Sequence, residues 1–145
     1  MDGRDVLIRL AATRDRRSLA LCDPRIVSDI HRRELIDAAI AARRCWVGEL
    51  AGAIAGYGVV TTNFFGRDFL ELVHVGEAAR RKGVGNAILQ TIEAACHSDR
   101  LFTSTNETNK AMRALLGQRN YRPSGTILNL DPGDPELVFV KFLRD

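Results

Sequence analysis

The sequence predicts a layered α/β (α+β) domain with a mixed central β-sheet of about seven strands and helices on both faces. Apolar periodicity alternates between strand-like and helical in the order β-α-α-β-β-β-α-β-α-β-β, which carries that prediction. Within it, FLELVHV, a loop, an amphipathic stretch and LFTST form a βαβ unit. The 145 residues, 46% of them hydrophobic and 27% charged, suffice for one core, so residues 1–145 are expected to form a single domain.

The elements follow from local pattern. VLIRLA (residues 6–11) reads as a first strand, and TRDRRSLALC as a short helix with Thr13 as its N-cap, broken at Asp23-Pro24. Ile26, Ile30, Leu35, Ala38, Ala39 and Ala42 recur at helical spacing and predict a second helix to about Arg43. CWVGEL, Ala51-Gly52 and AIAGYGVVTT read as a hairpin, and NFFGRD turns the chain again at Gly66. FLELVHV (69–75) is apolar on both faces, as a central strand should be. Val84, Ala87, Ile88, Thr91, Ile92 and Ala95 make one stripe of a helix running to His97. LFTST (101–105) is a short strand, and Asn109 starts a helix that Asn120-Tyr121 ends in a left-handed turn. TILNL (126–130) and LVFVKFL (137–143) close the chain as a hairpin around the acidic turn DPGDPE.

Composition excludes several classes. Cys22, Cys45 and Cys96 form no CxxC pair, and His31, His74 and His97 show no ligand spacing, so no metal site is expected. The N-terminus lacks the apolar run of a signal peptide, and AGAIAGYGVV is too short to span a membrane, so the expectation is a cytoplasmic protein without a membrane partner. The net charge of +3 is spread among alternating acids and bases, which suits a solvated surface better than a nucleic-acid stripe.

The chemistry concentrates in RRKGVG (80–85), where two glycines stand at the start of a helix that each should weaken. A helix N-terminus exposes unpaired N–H groups and partial positive charge, and glycines there let the backbone close on a phosphate. Arg80, Arg81 and Lys82 add charge beside it. The stretch fits neither the nucleotide pattern GxxxxGK[ST] nor the dinucleotide pattern GxGxxG. It does spell Arg-x-x-Gly-x-Gly after a strand and before an amphipathic helix. In this it resembles the GNAT superfamily of acetyl-CoA-dependent N-acetyltransferases. LFTSTNETNKAMRALLGQRNY is similar to that family's fifth strand and fourth helix, with Asn109 at its usual asparagine.

The resemblance implies acetyl-CoA as co-substrate and direct acetyl transfer to a primary amine of a small molecule or peptide in a ternary complex. It implies a splay of the central strands that admits the cofactor's arm, with Val73, His74, Val75, Arg80, Arg81, Lys82, Gly83, Val84, Gly85, Asn86 and Asn109 contacting the cofactor. Glu71, an acid in an otherwise apolar strand, is the expected general base, because burial would raise its pKa; His74 is the alternative on the opposite face. Asn109 can also simply cap its helix, and Glu71 can pair structurally. Asp131, Asp134 and Glu136 could rim an acceptor site or merely shape a turn, and NFFG (63–66) could wall a substrate or pack a hairpin tip. The family's proton-donating tyrosine falls at Leu116, and its Gly-Phe helix end at Asn120-Tyr121. Tyr121 could donate in its stead or pack in the core. A coenzyme A-binding protein with weak or no catalysis is therefore the alternative function. A homodimer is common in the resembled family.

Overall fold

The structure, a computed structural model, describes residues 5–144. Seven strands are hydrogen-bonded in the order β1-β2-β3-β4-β5-β7-β6. They are β1 (Val6–Leu10), β2 (Cys45–Leu50), β3 (Ala53–Phe64), β4 (Arg67–Val75), β5 (Arg100–Asn106), β6 (Arg122–Ile127) and β7 (Glu136–Phe142). The helices are α1 (Arg16–Cys22), α2 (Arg25–Ser28), α3 (Ile30–Ala41), α4 (Val84–Ala95) and α5 (Lys110–Gln118). β1 with β2, β2 with β3, β5 with β7 and β6 with β7 are antiparallel, whereas β4 and β5 are parallel, so the sheet is mixed as expected. The β4–β5 ladder consists of Phe69↔Phe102 and Leu70↔Thr103. No helix among the described residues is long and apolar enough to cross a membrane.

The chain groups into two compact units. One joins the residues up to Val60 with Leu72–Ala94; the other joins Thr61–Glu71 with the residues from Ala95 on.

In the first unit, strand alternation sorts the helices. Tyr57, Val59, Val47 and Cys45 point to one side, into a core with Leu19 of α1, Ile26 of α2 and Ile36 and Ala39 of α3. Gly48, Gly56 and Gly58 point to the other, where α4 lies against them. A Cβ on Gly58 would stand 2.8 Å from Ile92 Cδ1 and 2.9 Å from Ile88 Cγ2, and one on Gly56 would stand 2.8 Å from the His74 carbonyl and 3.0 Å from Val84 Cγ1. The glycines thus let α4 sit directly on the strand backbone. Helices cover both faces of this unit, as the sequence implied. Ala51 (φ 53°) and Gly52 (φ 80°) form the left-handed two-residue turn that suits the β2–β3 hairpin.

Two N-terminal details depart from expectation. Thr13 opens a 3-10 turn rather than capping α1, and the local carboxylate is Asp15, whose Oδ2 accepts the Ala12 N–H at 2.7 Å. The single helix from Ile26 to Arg43 is instead two. Asp29, extended at φ −117°, accepts the His31 and Arg32 N–H groups as the N-cap of α3, and its extended backbone interrupts the helical path that periodicity alone would continue.

In the second unit, β7 pairs with β5 from Arg100↔Phe142 to Asn106↔Glu136. β6 starts at Arg122, earlier than its apolar run suggested, and pairs with β7 as far as Ile127; Leu128 and Leu130 lie beyond it, exposed. Its RPSG half reads as loop because proline and glycine disfavour strands, yet an edge strand accepts proline. α5 ends as expected: Asn120 is left-handed (φ 68°), with the Tyr121 N–H donating to the Leu116 carbonyl and the Asn120 N–H to that of Gly117. Phe64 stacks on Phe69 at 4.9 Å and meets Phe102 at 5.2 Å, so NFFG packs the β3–β4 hairpin, leaving Phe65 exposed.

Gly56→Ala should therefore destabilise the protein by about 1–3 kcal/mol in urea unfolding, more than Gly58→Ala. The reason is that a backbone carbonyl opposes the new methyl at Gly56, whereas only side-chain methyls, Ile92 Cδ1 and Ile88 Cγ2, stand closest to it at Gly58. A second expectation concerns Asp15, which is buried and whose carboxylate receives the Arg9 guanidinium at 2.8 and 3.0 Å. That bond, followed by the Ala12 N–H, holds its pKa at about 2 against the cost of burial. A depressed carboxylate stabilises the fold above its unfolded value of 3.8 and loses that stabilisation as pH falls toward 2. Asp15→Asn should flatten the stability-versus-pH curve between pH 4 and pH 2 (about 2 kcal/mol) in acid titrations followed by circular dichroism.

Candidate functional site

The turn from β4 into α4 has an unusual backbone. Gly76 donates its N–H to the Ala55 carbonyl at 2.8 Å, which ties the end of β4 to β3. A single 3-10 turn, Glu77–Ala79, follows and buries Ala79. The chain then becomes left-handed at Arg81 (φ 64°) and again at Gly83 (φ 81°). The second position suits glycine, while the first is uncommon for a residue with a Cβ. The Gly83 carbonyl accepts the Ala87 N–H at 3.0 Å, closing the first helical turn. The N–H groups of Val84 and Gly85 precede that bond and have no partner within the helix. Val84 is 1% exposed and anchors the turn against Gly48 and Gly56, whereas Arg80, Arg81, Lys82, Gly83 and Asn86 are exposed. The result is an exposed, cation-flanked loop on the positive end of a helix, suited to an anion. Only Gly83 needs its glycine for φ; Gly85 lies inside α4, where the lack of a side chain leaves room above the backbone.

Val73, His74 and Val75, half-buried at the end of β4, share the first unit with this loop. His74 faces a network that local pattern did not reveal. The Asp23 carboxylate is 1% exposed, and its Oδ2 accepts the Tyr57 hydroxyl at 2.7 Å and Arg32 Nη1 at 2.8 Å. Its Oδ1 accepts the Arg25 backbone N–H at 3.1 Å and Arg25 Nε at 3.4 Å. Burial pushes the Asp23 pKa up, but Tyr57, His74, Arg32 and the Arg25 amide outweigh it, and the net direction is down. Tyr57, fully buried, has its own pKa raised by burial and by Asp23. Arg25 Nη2 lies 3.3 Å from His74 Nδ1, and His74 Nε2 lies 3.3 Å from the Cys22 carbonyl. Guanidinium only donates and a carbonyl only accepts, so Nδ1 is the acceptor and Nε2 carries the proton. Burial lowers the pKa of this neutral imidazole; Asp23 and the Cys22 carbonyl oppose that, and Arg25 and Arg32 reinforce it.

Glu71 and Asn109 belong to the second unit. Glu71 is exposed and accepts the Thr61 hydroxyl at 2.8 Å, so the burial expected of it is absent: at this point of β4 the side chain faces solvent. Asn109 does cap α5, its Oδ1 accepting the Met112 N–H at 3.1 Å. The acidic turn is pinned structurally. Asp134 receives the Thr108 N–H and hydroxyl, Asp131 the Asn106 amide, and Glu136 the Ser104 hydroxyl. Leu116 and Tyr121 are buried. An open groove of about 850 Å³ between α5 and the β6–β7 pair, with Lys110 and Arg113 on its rim, contains none of the loop residues.

Residues 14–121 match the model of the acetyltransferase (GNAT) family. A GNAT-family acetyltransferase structure from Bacillus cereus ATCC 10987 is 30% identical, covers 94% of this chain and 96% of its own, and superposes with a TM-score of 0.88. The fold is also similar to a putative acetyltransferase from Salmonella typhimurium solved with its cofactor acetyl-CoA (17% identity, 98% and 96% coverage, TM-score 0.78). It likewise resembles a ribosomal-protein-alanine N-acetyltransferase from Brucella melitensis (20% identity, 94% and 99% coverage, TM-score 0.77). No curated protein sequence matches the chain. The chain belongs to the acetyltransferase (GNAT) family, whose fold implies acyltransferase activity.

Asp23, Tyr57, Arg32 and Arg25 are the residues that sequence reasoning missed. Asp23-Pro24 reads only as a helix breaker, and Tyr57 stands 34 residues away in a strand. Tyr57→Phe should cost about 1–3 kcal/mol in urea unfolding, since it withdraws a donor from a buried carboxylate. Asp23→Ala should cost about 3–5 kcal/mol, since it strands the Arg32 guanidinium.

Proposed function

We propose that this protein transfers an acetyl group from acetyl-CoA to a primary amine of a small molecule or peptide, by direct attack in a ternary complex. The observation that carries the reading is the loop from Arg80 to Asn86. It turns left-handed at Arg81 and Gly83, carries three cations, and opens α4, whose first N–H groups at Val84 and Gly85 have no partner within the helix. These residues hold the pyrophosphate of coenzyme A. The backbone of Val73–Val75 pairs with the cofactor's arm, and a backbone N–H there stabilises the oxyanion of the tetrahedral adduct. Asn109 adds a cofactor contact to its capping role. The acetyl-CoA bound by the Salmonella relative supports the cofactor, and the alanine N-acetyltransferase from Brucella supports an amine acceptor.

Glu71 acts as the base that discharges the incoming ammonium to water. Being exposed, it does so through solvent, and the Thr61 hydroxyl fixes its orientation. The alternative, a coenzyme A-binding protein without catalysis, rested on Leu116 in place of the usual tyrosine and gains nothing from the comparisons.

Thermal unfolding with acetyl-CoA tests the reading. Saturation at a hundredfold excess over Kd should add about 2.7 kcal/mol of stability. Gly83→Glu should abolish the shift, since it places a carboxylate and a Cβ at a left-handed position facing the anion. No shift with millimolar acetyl-CoA in folded protein would overturn the cofactor site. Glu71→Gln should lower kcat about a hundredfold with any accepted amine; an unchanged rate would remove Glu71 from the mechanism.

A further inference from the structure

We propose that Arg25 occupies the place of the acceptor amine in the free protein, and that His74 Nδ1, exposed when Arg25 swings out, accepts a proton from that amine during acetyl transfer. The proposal rests on the acetyl-transfer reading above.

The geometry carries it in three steps. First, the lone pair of His74 Nδ1 is aimed at a nitrogen donor, Arg25 Nη2, at 3.3 Å. An amine N–H standing there would make the same bond. Second, the occupant is weakly held. The Arg25 side chain is 60% exposed, and its side-chain contacts, 3.3 Å to His74 and 3.4 Å to Asp23 Oδ1, are both long. When it leaves for solvent, Asp23 Oδ1 loses one long bond and keeps the Arg25 backbone N–H at 3.1 Å. Third, the rest of the network stays when it leaves. Tyr57 and Arg32 keep Asp23 charged and fixed, with Oδ2 3.9 Å from His74 Nδ1, and the Cys22 carbonyl keeps the proton on Nε2. Nδ1 is then the one basic nitrogen of the ring, and the carboxylate beside it stabilises the imidazolium that forms.

The groups facing His74 are Cys22 at the end of α1, Asp23 of the α1–α2 connection, Arg25 of α2, Arg32 of α3 and Tyr57 of β3. Removing Arg25 withdraws one of the two cations that suppress protonation of the ring.

The proton balance gives His74 its role. An ammonium must lose two protons to become an amide nitrogen. The first goes to water before the attack. As the C–N bond forms and the C–S bond of the thioester breaks, the nitrogen of the tetrahedral adduct yields the second to Nδ1. The imidazolium passes it to the departing thiolate, giving amide, coenzyme A thiol and one proton in solution. His74 thereby supplies the proton that Leu116, fully buried and without a donor, does not.

The experiment is thiol release from acetyl-CoA with n-butylamine, tyramine and a short alanine-terminated peptide, as pH profiles for the wild type, His74→Gln and Arg25→Gln. Glutamine preserves a donor for the Cys22 carbonyl but removes the basic nitrogen. His74→Gln should lower kcat about a hundredfold and lose the acidic limb of the profile, while keeping the thermal shift with acetyl-CoA that reports an intact fold and cofactor site. Arg25→Gln should lower the KM for amine several-fold. His74→Gln within threefold of wild type, with the same acidic limb, overturns the proposal and leaves the acetyltransferase reading standing. A raised amine KM in Arg25→Gln overturns the placeholder role. Wild type that binds acetyl-CoA yet acetylates none of these amines overturns the amine site, whereas wild type that does not bind it overturns the proposed function itself.

Discussion

The close seat of α4 on β2 and β3 is the constraint on which the first unit depends. Gly48, Gly56 and Gly58 remove side chains from one face of two strands, and Val84, Ile88 and Ile92 fill the space. Because Val84 is both the first residue of α4 and one of these contacts, the packing fixes where the helix begins. The loop before it must then connect a strand end tied down at Gly76 to a helix start tied down at Val84. Left-handed residues at Arg81 and Gly83 accomplish that turn. The left-handed turn of this loop thus follows from a row of missing side chains one strand away.

The opposite face is organised by charge. A carboxylate as buried as Asp23 is costly unless every lone pair is used, and here Tyr57, Arg32 and Arg25 use them. The same contacts join the α1–α2 connection, α3 and β3, so one buried anion aligns three elements around the end of β4. His74 is the member of this group with a nitrogen that can change protonation state near neutrality. Its neighbours are arranged so that the neutral ring is the resting form.

Much of the fold was legible because periodicity and turn chemistry are local. The hairpin turns at Ala51-Gly52 and Gly66, the caps at Asn109 and Asn120, and the strand–loop–helix context of RRKGVG all lie within a few residues of their own signal. Boundaries failed where local preference and pairing disagreed. β6 extends through Pro123 because an edge strand loses no ladder bond there, and the predicted second helix breaks at Asp29 because that side chain caps from outside.

For the site, the sequence by itself determined the glycine loop between β4 and α4, since glycine spacing, flanking cations and a following amphipathic helix are contiguous. It also determined that Leu116 offers no proton. Tertiary structure alone decided which ionisable groups are buried and which are wet. Glu71, in an apolar strand, faces solvent, while Asp23, in what reads as a breaker, is sealed beneath Tyr57. Burial is a property of what packs over a residue from distant parts of the chain. A carboxylate's neighbours in sequence therefore do not reveal its neighbours in space, and the protonation chemistry of this protein is set by the latter.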